Sequence, residues 1–373
     1  MFSAFTVHLR TALLEASKIK GGHLNILTHA LIETTEEGAF VTSTDYDVTI
    51  RHRIEDACVS DMGSVLVPAA ALMKFLRALD AKDAVFVSPQ DKDKDKTQFR
   101  AGLVNVQIQG IPPEDFPARD LKPTGAPLPF DAAALRKGLA DVSYCMSTDE
   151  SRMHLNSVHF ATTDGKPLQL AATDGARGAL AAVSQSAWSD RTFEHLVHRA
   201  GIAPLMRLLK PSKRVELYEQ NGDVLFDIDG GAVLVSIRDI ADTYPEMAKV
   251  FPKVDDPNPP MLDTLATIKA VKQVAASCAG PGVSMIRLDS EEGEMLWSMV
   301  TPEGVEATGR VPCVGITEGR LHNGLNFKYV LEALDICKPG PVAVYGAADA
   351  IKQIAFHAAD GSSRHVIMPM RRD

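Results

Sequence analysis

The sequence predicts an α+β protein made of three tandem copies of one two-helix, antiparallel-sheet domain. Three observations predict it. Three stretches of similar length each carry two short amphipathic helix patterns among alternating strands. The first two close on an aromatic–proline step, Phe116-Pro117 and Tyr244-Pro245, and the third on Val366-Ile367-Met368-Pro369-Met370-Arg371. No phosphate-cradling loop or nucleophile elbow interrupts the plan. Helices gathered on one side of an antiparallel sheet give an α+β layer. Repetition without catalytic motifs points to a protein that works through its shape.

In the first third, Leu9, Ala12, Leu13 and Ala16 keep helical spacing, and the helix is expected to end near Lys20-Gly21-Gly22. Val41 to Arg51 alternates as one strand. Val65-Leu66-Val67 leads into Pro68, suited to a first helical position, and Leu72, Phe75, Leu76 and Leu79 form one apolar stripe. Strands follow near 84–88, 98–101 and 104–108, and the prolines of Ile111 to Pro117 end the unit.

The second third repeats this. Asp131 is placed to cap a helix carrying Leu135, Leu139 and Val142. Strands are expected at 155–161, 168–173 and 176–183. A helix with Leu205, Leu208 and Leu209 comes next, then strands at 215–218, 224–228 and 233–237. Asp255 to Pro260 reads as a linker. In the last third a helix spans 264–276 with Leu265, Ile268, Val271 and Ala275 on one face. Strands follow at 285–288 and 295–300, then a helix capped by Asn326, then strands at 342–345, 352–356 and 365–368.

Composition sets limits. At 373 residues, 45% apolar and 23% charged, the chain suits two or three globular domains. No run approaches the roughly 20 apolar residues of a membrane helix. The N-terminus lacks a signal-peptide pattern, so a cytoplasmic location is expected. Five scattered cysteines without a CxxC fit reduced core thiols. The net charge of −9 argues against coating nucleic acid by bulk attraction, but permits a locally basic surface.

Asp91 to Lys96 alternates Asp and Lys but lacks the glycine and closing glutamate of a calcium loop, so it reads as a solvated hairpin. His195 and His198 have no carboxylate at ligand spacing, and no metal or cofactor is expected. Asp174-Gly175 between two strands suits a type I′ hairpin, which leaves Arg177 unexplained. Met368-Pro369-Met370-Arg371 is either a frayed tail or a soft apolar surface for partner peptides.

At these residues the chain resembles the bacterial β sliding clamp family, the processivity subunit of the replicative DNA polymerase III. The likeness is collinear. It runs through Thr44-Asp45-Tyr46-Asp47, Gly110 to Pro117, Arg152 to Val158, Ala172 to Arg177, Tyr244-Pro245, Asn326 to Val330 and Met368 to Arg371. The resemblance implies clamp domains at 1–122, 123–253 and 254–373, with two chains closing head to tail as a ring around double-stranded DNA. Helices would line its inner wall. It implies no catalytic residue. Candidates facing DNA are Lys20, His23, Arg77, Arg136, Lys137, Arg199, Arg207, Lys269 and Lys272. Ring closure would bring Lys74, Val104, Val106 and Ile108 to Ile268 and Lys272 of another copy.

The resemblance also implies a pocket for short peptides from the polymerase III alpha subunit, the clamp loader, translesion polymerases and other proteins carrying a clamp-binding motif. Its lining would be Leu155, Thr173, Gly175, Ala176, Arg177, Gly178, Pro245, Lys249, Val250, Val283, Asn326, Tyr329, Val366, Met368, Pro369, Met370 and Arg371. Histidine is usual at Ala176, leucine at Gly178, arginine at Lys249 and an aromatic at Val283. These departures raise a second reading, an accessory clamp with an altered pocket. A remote third reading, from a different class, is a hydrolase using Asp174 and Arg177 with a histidine.

Overall fold

The computed structural model describes all residues except 17, 19–23, 91–92, 118, 163–165, 184–191, 212, 221, 253–257, 279, 281, 348, 350 and 372–373. The expected helix end at Lys20-Gly22, the tip of the Asp91–Lys96 hairpin and the first half of the linker, Asp255 to Pro257, lie outside the described residues.

Element order repeats with the thirds. The first carries β1 (Phe2–Phe5), α1 (Thr6–Ala16), β2 (His29–Thr35), β3 (Gly38–Thr44), β4 (Val48–Arg53), β5 (Cys58–Val59), β6 (Gly63–Pro68), α2 (Ala69–Arg77), β7 (Ala84–Gln90), β8 (Asp93–Ala101) and β9 (Val104–Gln109). The second carries β10 (Leu128–Asp131), α3 (Ala132–Ser143), β11 (Ser157–Thr162), β12 (Leu168–Thr173), β13 (Arg177–Val183), β14 (Phe193–His198), α4 (Arg199–Leu208), β15 (Arg214–Gln220), β16 (Asp223–Ile228) and β17 (Val233–Arg238). The third carries β18 (Met261–Asp263), α5 (Thr264–Cys278), β19 (Met285–Glu291), β20 (Glu294–Val300), β21 (Glu306–Val314), β22 (His322–Asn326), α6 (Phe327–Cys337), β23 (Pro341–Tyr345), β24 (Ile354–Ala358) and β25 (Ser363–Ile367).

The chain divides into two compact units, and the middle third contributes to both. One unit is Met1–Ala133 with Ala200–Asp239. It holds a five-stranded sheet, β5-β1-β7-β8-β9, and an eight-stranded sheet, β10-β15-β16-β17-β4-β3-β2-β6. Its main core packs Leu9, Leu13, Leu72 and Leu76 of α1 and α2 against Ile32, Val41, Val85 and Phe99. The other unit is Ala134–Arg199 with Ile240–Asp373. Its twelve-stranded sheet runs β14-β11-β12-β13-β25-β24-β23-β18-β21-β20-β19-β22. There α5 and α6 close over a core around Trp297, Leu325, Leu334 and Phe356.

Helix ends follow cap chemistry. Asp263 Oδ1 accepts from Ala266 N at the start of α5, and Asn326 Oδ1 accepts from Lys328 N at the start of α6, as the sequence predicts for Asn326. Pro68 is instead the cap residue before α2, still paired in β6, and not the first helical residue.

Several expectations need correction. Val41 to Arg51 is two strands, because Asp45, Tyr46 and Asp47 turn the chain between β3 and β4. The strand propensity of Tyr46, alternating with the two aspartates, hid the break. Leu155 sits in a 3-10 turn before β11. Asp93 to Lys96 belong to β8. The short first strands β1, β10 and β18 offer too few residues for an alternating pattern, and β21 is masked by Gly309 and Pro312. Four cysteines are buried, but Cys58 is exposed.

Candidate functional site

The turn between β12 and β13 organises the predicted pocket. Asp174 N donates to Arg177 O, and Asp174 Oδ1 accepts from Ala176 N (2.9 Å) and Arg177 N (3.0 Å). Thr173 Oγ1 donates to Arg177 O at 2.6 Å and accepts from Gly175 N at 3.1 Å. The loop has three residues, and within it Gly175 has positive φ, 91°. A type I′ turn needs two such residues, so that expectation fails.

The turn also explains Arg177. Its Nε donates to Asp174 Oδ2 at 3.0 Å, and its Nη1 reaches Glu332 on α6. The guanidinium lies 4.4 Å from the Tyr329 ring centroid and 5.3 Å from that of Tyr144. Two carboxylates and two rings fix its direction, and its side chain is 13% exposed. Beneath it, burial pushes the Cys145 thiol up to about 12, so this thiol stays protonated and inert. Asp174 and Arg177 are thus engaged in structure, and the hydrolase reading gains no support.

The C-terminal segment is tied down rather than frayed. Strand β25 pairs with β13, setting Ile367 opposite Arg177 and Val366 opposite Gly178. Met368 N donates to Ala176 O, and Met370 N donates to Gly324 O, both at 2.8 Å. Pro369 therefore spans two anchored methionines, while Arg371 is exposed.

Apolar packing gathers Leu155 and Val366 with Tyr244, Met247 and Phe251, and Val250 packs against them. Pro245 follows Tyr244 directly. Met247 is the residue the sequence did not reveal. Its Cε would lie 2.5 Å from a Cβ placed on Gly178. The methionine thus occupies the space that a side chain at position 178 would take. Tyr144 and Glu332, which hold Arg177, also escaped notice, because no local motif marks them. Val283 and Tyr329 pack against the α5–α6 core, and Lys249 pairs with Glu246 at the surface.

The basic candidates differ in their partners. Arg77, Arg136, Lys269 and Lys272 are exposed and have no carboxylate partner among the described residues. Lys137 pairs with Asp141 at 2.7 Å, and Arg207 pairs with Glu15 at 3.2 Å. Arg199 Nη1 donates to Ser147 O. Lys20 and His23 lie outside the described residues. Among the described residues no cluster could hold a metal ion, and no helix is long and apolar enough to cross a membrane.

An antiparallel α+β body of this strand order has the fold of DNA sliding clamps. A crystal structure of the DNA polymerase sliding clamp from Pseudomonas aeruginosa superposes with a TM-score of 0.90, covering 100% of this chain and 99% of that one at 24% identity. Residues 10–120 match the family model of the DNA polymerase III beta subunit N-terminal domain, and residues 130–246 match that of its central domain. The Beta sliding clamp of Proteus mirabilis is 25% identical over 351 residues, covering 93% of each chain. That of Caulobacter vibrioides is 26% identical over 355 residues, covering 93% of this chain and 92% of the relative. The chain belongs to the family of bacterial DNA polymerase III beta subunits. It is a DNA sliding clamp, a non-catalytic processivity factor.

Proposed function

We propose that two copies of this chain, each with clamp domains at 1–122, 123–253 and 254–373, close head to tail as a ring around double-stranded DNA. A repeated pairing carries this reading. Strand β4 pairs antiparallel with β17, and β13 pairs antiparallel with β25. In each case the fourth strand of one third joins the last strand of the next. The remaining pair of that kind is β21 with β9. β9 ends its sheet, and β21 meets β18 only through Cys313 and Val314. In the ring, β9 of one copy pairs with β21 of the other, a heterologous contact that two copies close. Val106 and Ile108, on the core side of β9, then face Ala307 and Gly309, on the α5 side of β21. Lys74, Val104, Ile268 and Lys272 flank this seam.

Arg77, Arg136, Lys269 and Lys272 are the strongest candidates to face DNA, and Lys20, His23 and Arg199 are further candidates. Lys137 and Arg207 are tempered by carboxylates. Few unpaired cations suit sliding, since each phosphate contact must break at every step.

The residues from Leu155 to Arg371 named above form the pocket for peptides of the polymerase III alpha subunit, the clamp loader and translesion polymerases. Arg177 supplies a fixed polar anchor among apolar walls. The protein works in the cytoplasm. The placement of Met247 over Gly178 favours the accessory reading, because it reshapes the wall that partners meet.

Light scattering is expected to show a dimer, and the loaded protein to remain on nicked circular DNA yet leave linear DNA. A monomer at micromolar concentration that is never retained on circles would overturn the ring.

A further inference from the structure

One cross-strand row recurs in all three thirds, and only its first copy is bare. Each row starts three residues before the first helix of its third. Ser3, Phe86, Arg100 and Asn105 stand directly opposite one another in turn on β1, β7, β8 and β9. Pro129, Glu216, Asp227 and Leu234 repeat this on β10, β15, β16 and β17. Met261, Ala343, His357 and Arg364 repeat it on β18, β23, β24 and β25. In the second and third copies a strap, the segment that leads into that third, lies on the row. Leu121 packs with Leu234. The Phe251 ring lies 6.2 Å from that of His357 and 5.7 Å from the Arg364 guanidinium. Asp227, Leu234, Ala343 and His357 are all buried. The first row has no such cover: Phe86 is 47% exposed, and Arg100 and Asn105 are exposed.

The bare face offers a seat for a ring. Phe5 is 46% exposed and stands diagonal to Phe86, because Ser3 pairs with Phe86 and Phe5 with Ala84. Diagonal neighbours on one face lie about 7–8 Å apart, room for one ring between two, over the small Ser3 and Ala84. The Arg100 guanidinium lies 5.2 Å from the Phe86 ring and has no carboxylate partner among the described residues. No residue on this face of β1, β7 or β9 is charged, so Arg100 suits an acidic visitor. β1 and β7 lie inside the five-stranded sheet, so a strand added at β9 leaves Phe5 and Phe86 open. All the residues named for the partner-peptide pocket belong to the other unit.

We propose that this face seats a strap from a partner protein, an aromatic residue followed by proline and preceded by a carboxylate. The ring lies between Phe5 and Phe86, and the carboxylate pairs with Arg100. The chain's own linking segments carry this chemistry in Asp115-Phe116-Pro117 and, without the acid, in Phe251-Pro252. Proline suits a segment that crosses a sheet face without joining its ladder.

The probe is N-acetyl-Asp-Phe-Pro-amide, titrated into the full chain with its alanine methyls labelled for NMR. The Ala84 methyl is expected to shift saturably at millimolar concentration. N-acetyl-Asp-Ala-Pro-amide should bind at least about tenfold more weakly, and N-acetyl-Asn-Phe-Pro-amide at least about fivefold. Phe86→Thr, a strand former at an exposed site, should abolish saturation. Arg100→Gln should equalise the Asp-Phe-Pro and Asn-Phe-Pro peptides. Unchanged binding in Phe86→Thr overturns the proposal, as do equal affinities for the three peptides or no shift at Ala84. An Ala84 signal that moves with protein concentration alone puts a second copy on this face and also overturns it.

Discussion

Gly178 and Met247 form one packing unit, because a Cβ at position 178 meets the methionine methyl at 2.5 Å. Gly178→Leu alone should therefore destabilise by about 1–3 kcal/mol through overpacking. Met247→Ala alone should cost about 2–5 kcal/mol, since it empties a site only 5% exposed. The double variant should recover much of the loss, and a double-mutant cycle from urea unfolding reads the coupling directly. Strict additivity would show that the two positions do not share space. His365 carries a second residue-scale prediction. It is fully buried, bonded to Tyr144 Oη and Ser363 Oγ at 2.9 Å each, and burial pushes its pKa down to about 3. The unfolded chain takes up a proton here as pH falls below 6.5, while the folded chain does not. Stability is thus complete above 6.5 and is lost as pH falls toward 3, by about 2 kcal/mol at pH 5. His365→Gln should start less stable at neutral pH and lose less on acidification to pH 5. Equal falls in thermal midpoint for both proteins would exclude His365 as a source.

The turns of the first two thirds are one element written twice. Thr44, Asp45 and Tyr46 use the bonds of Thr173, Asp174 and Gly175. Asp45 Oδ1 accepts from Asp47 N and Val48 N, and Thr44 Oγ1 accepts from Tyr46 N. The left-handed position holds Gly175 at φ 91° in one copy and Tyr46 at φ 74° in the other. Only glycine occupies that region freely. Tyr46→Gly should therefore stabilise or leave unchanged, and Gly175→Ala should cost about 1 kcal/mol. A melting point that falls for Gly175→Ala and does not fall for Tyr46→Gly is the expected readout. This element also shows what sequence could and could not reveal. The Thr-Asp pair announced a turn at 173–175 because glycine stood in it, and the equivalent turn at 44–46 passed as strand because tyrosine did. Helices α2, α5 and α6 were legible from their apolar stripes and, for α6, from Asn326. Strand β21 was not, because Gly309 and Pro312 break its pattern while long-range pairing with β20 holds it. In the pocket, Arg177 and the methionines were visible through motif likeness. Met247 was invisible, because its partner is a glycine 69 positions away whose missing side chain is the signal.

At the scale of the whole molecule, the repeated joint between thirds turns a chain into an open series that wants one more contact. Exposed strand edges template association with other chains unless something covers them. β9 shows Val104 at 48% exposure on such an edge, and its outer backbone groups face no strand within its sheet. The proposed pairing with β21 of a second copy would cover that edge and would reuse the geometry present between β4 and β17 and between β13 and β25. Val104→Asp places a charge on the seam without entering the core of the first unit, to which Ile108 belongs. The variant should keep its melting behaviour as a monomer while the dimer weakens by about tenfold or more, as expected for a desolvated unpaired charge. Sedimentation across a dilution series measures this. Retention on circular DNA should fall in the same proportion, because a ring that opens releases its duplex whatever its affinity for phosphate. A variant that dissociates yet stays on circles would separate the two properties, and would place the grip on DNA in direct binding rather than in enclosure.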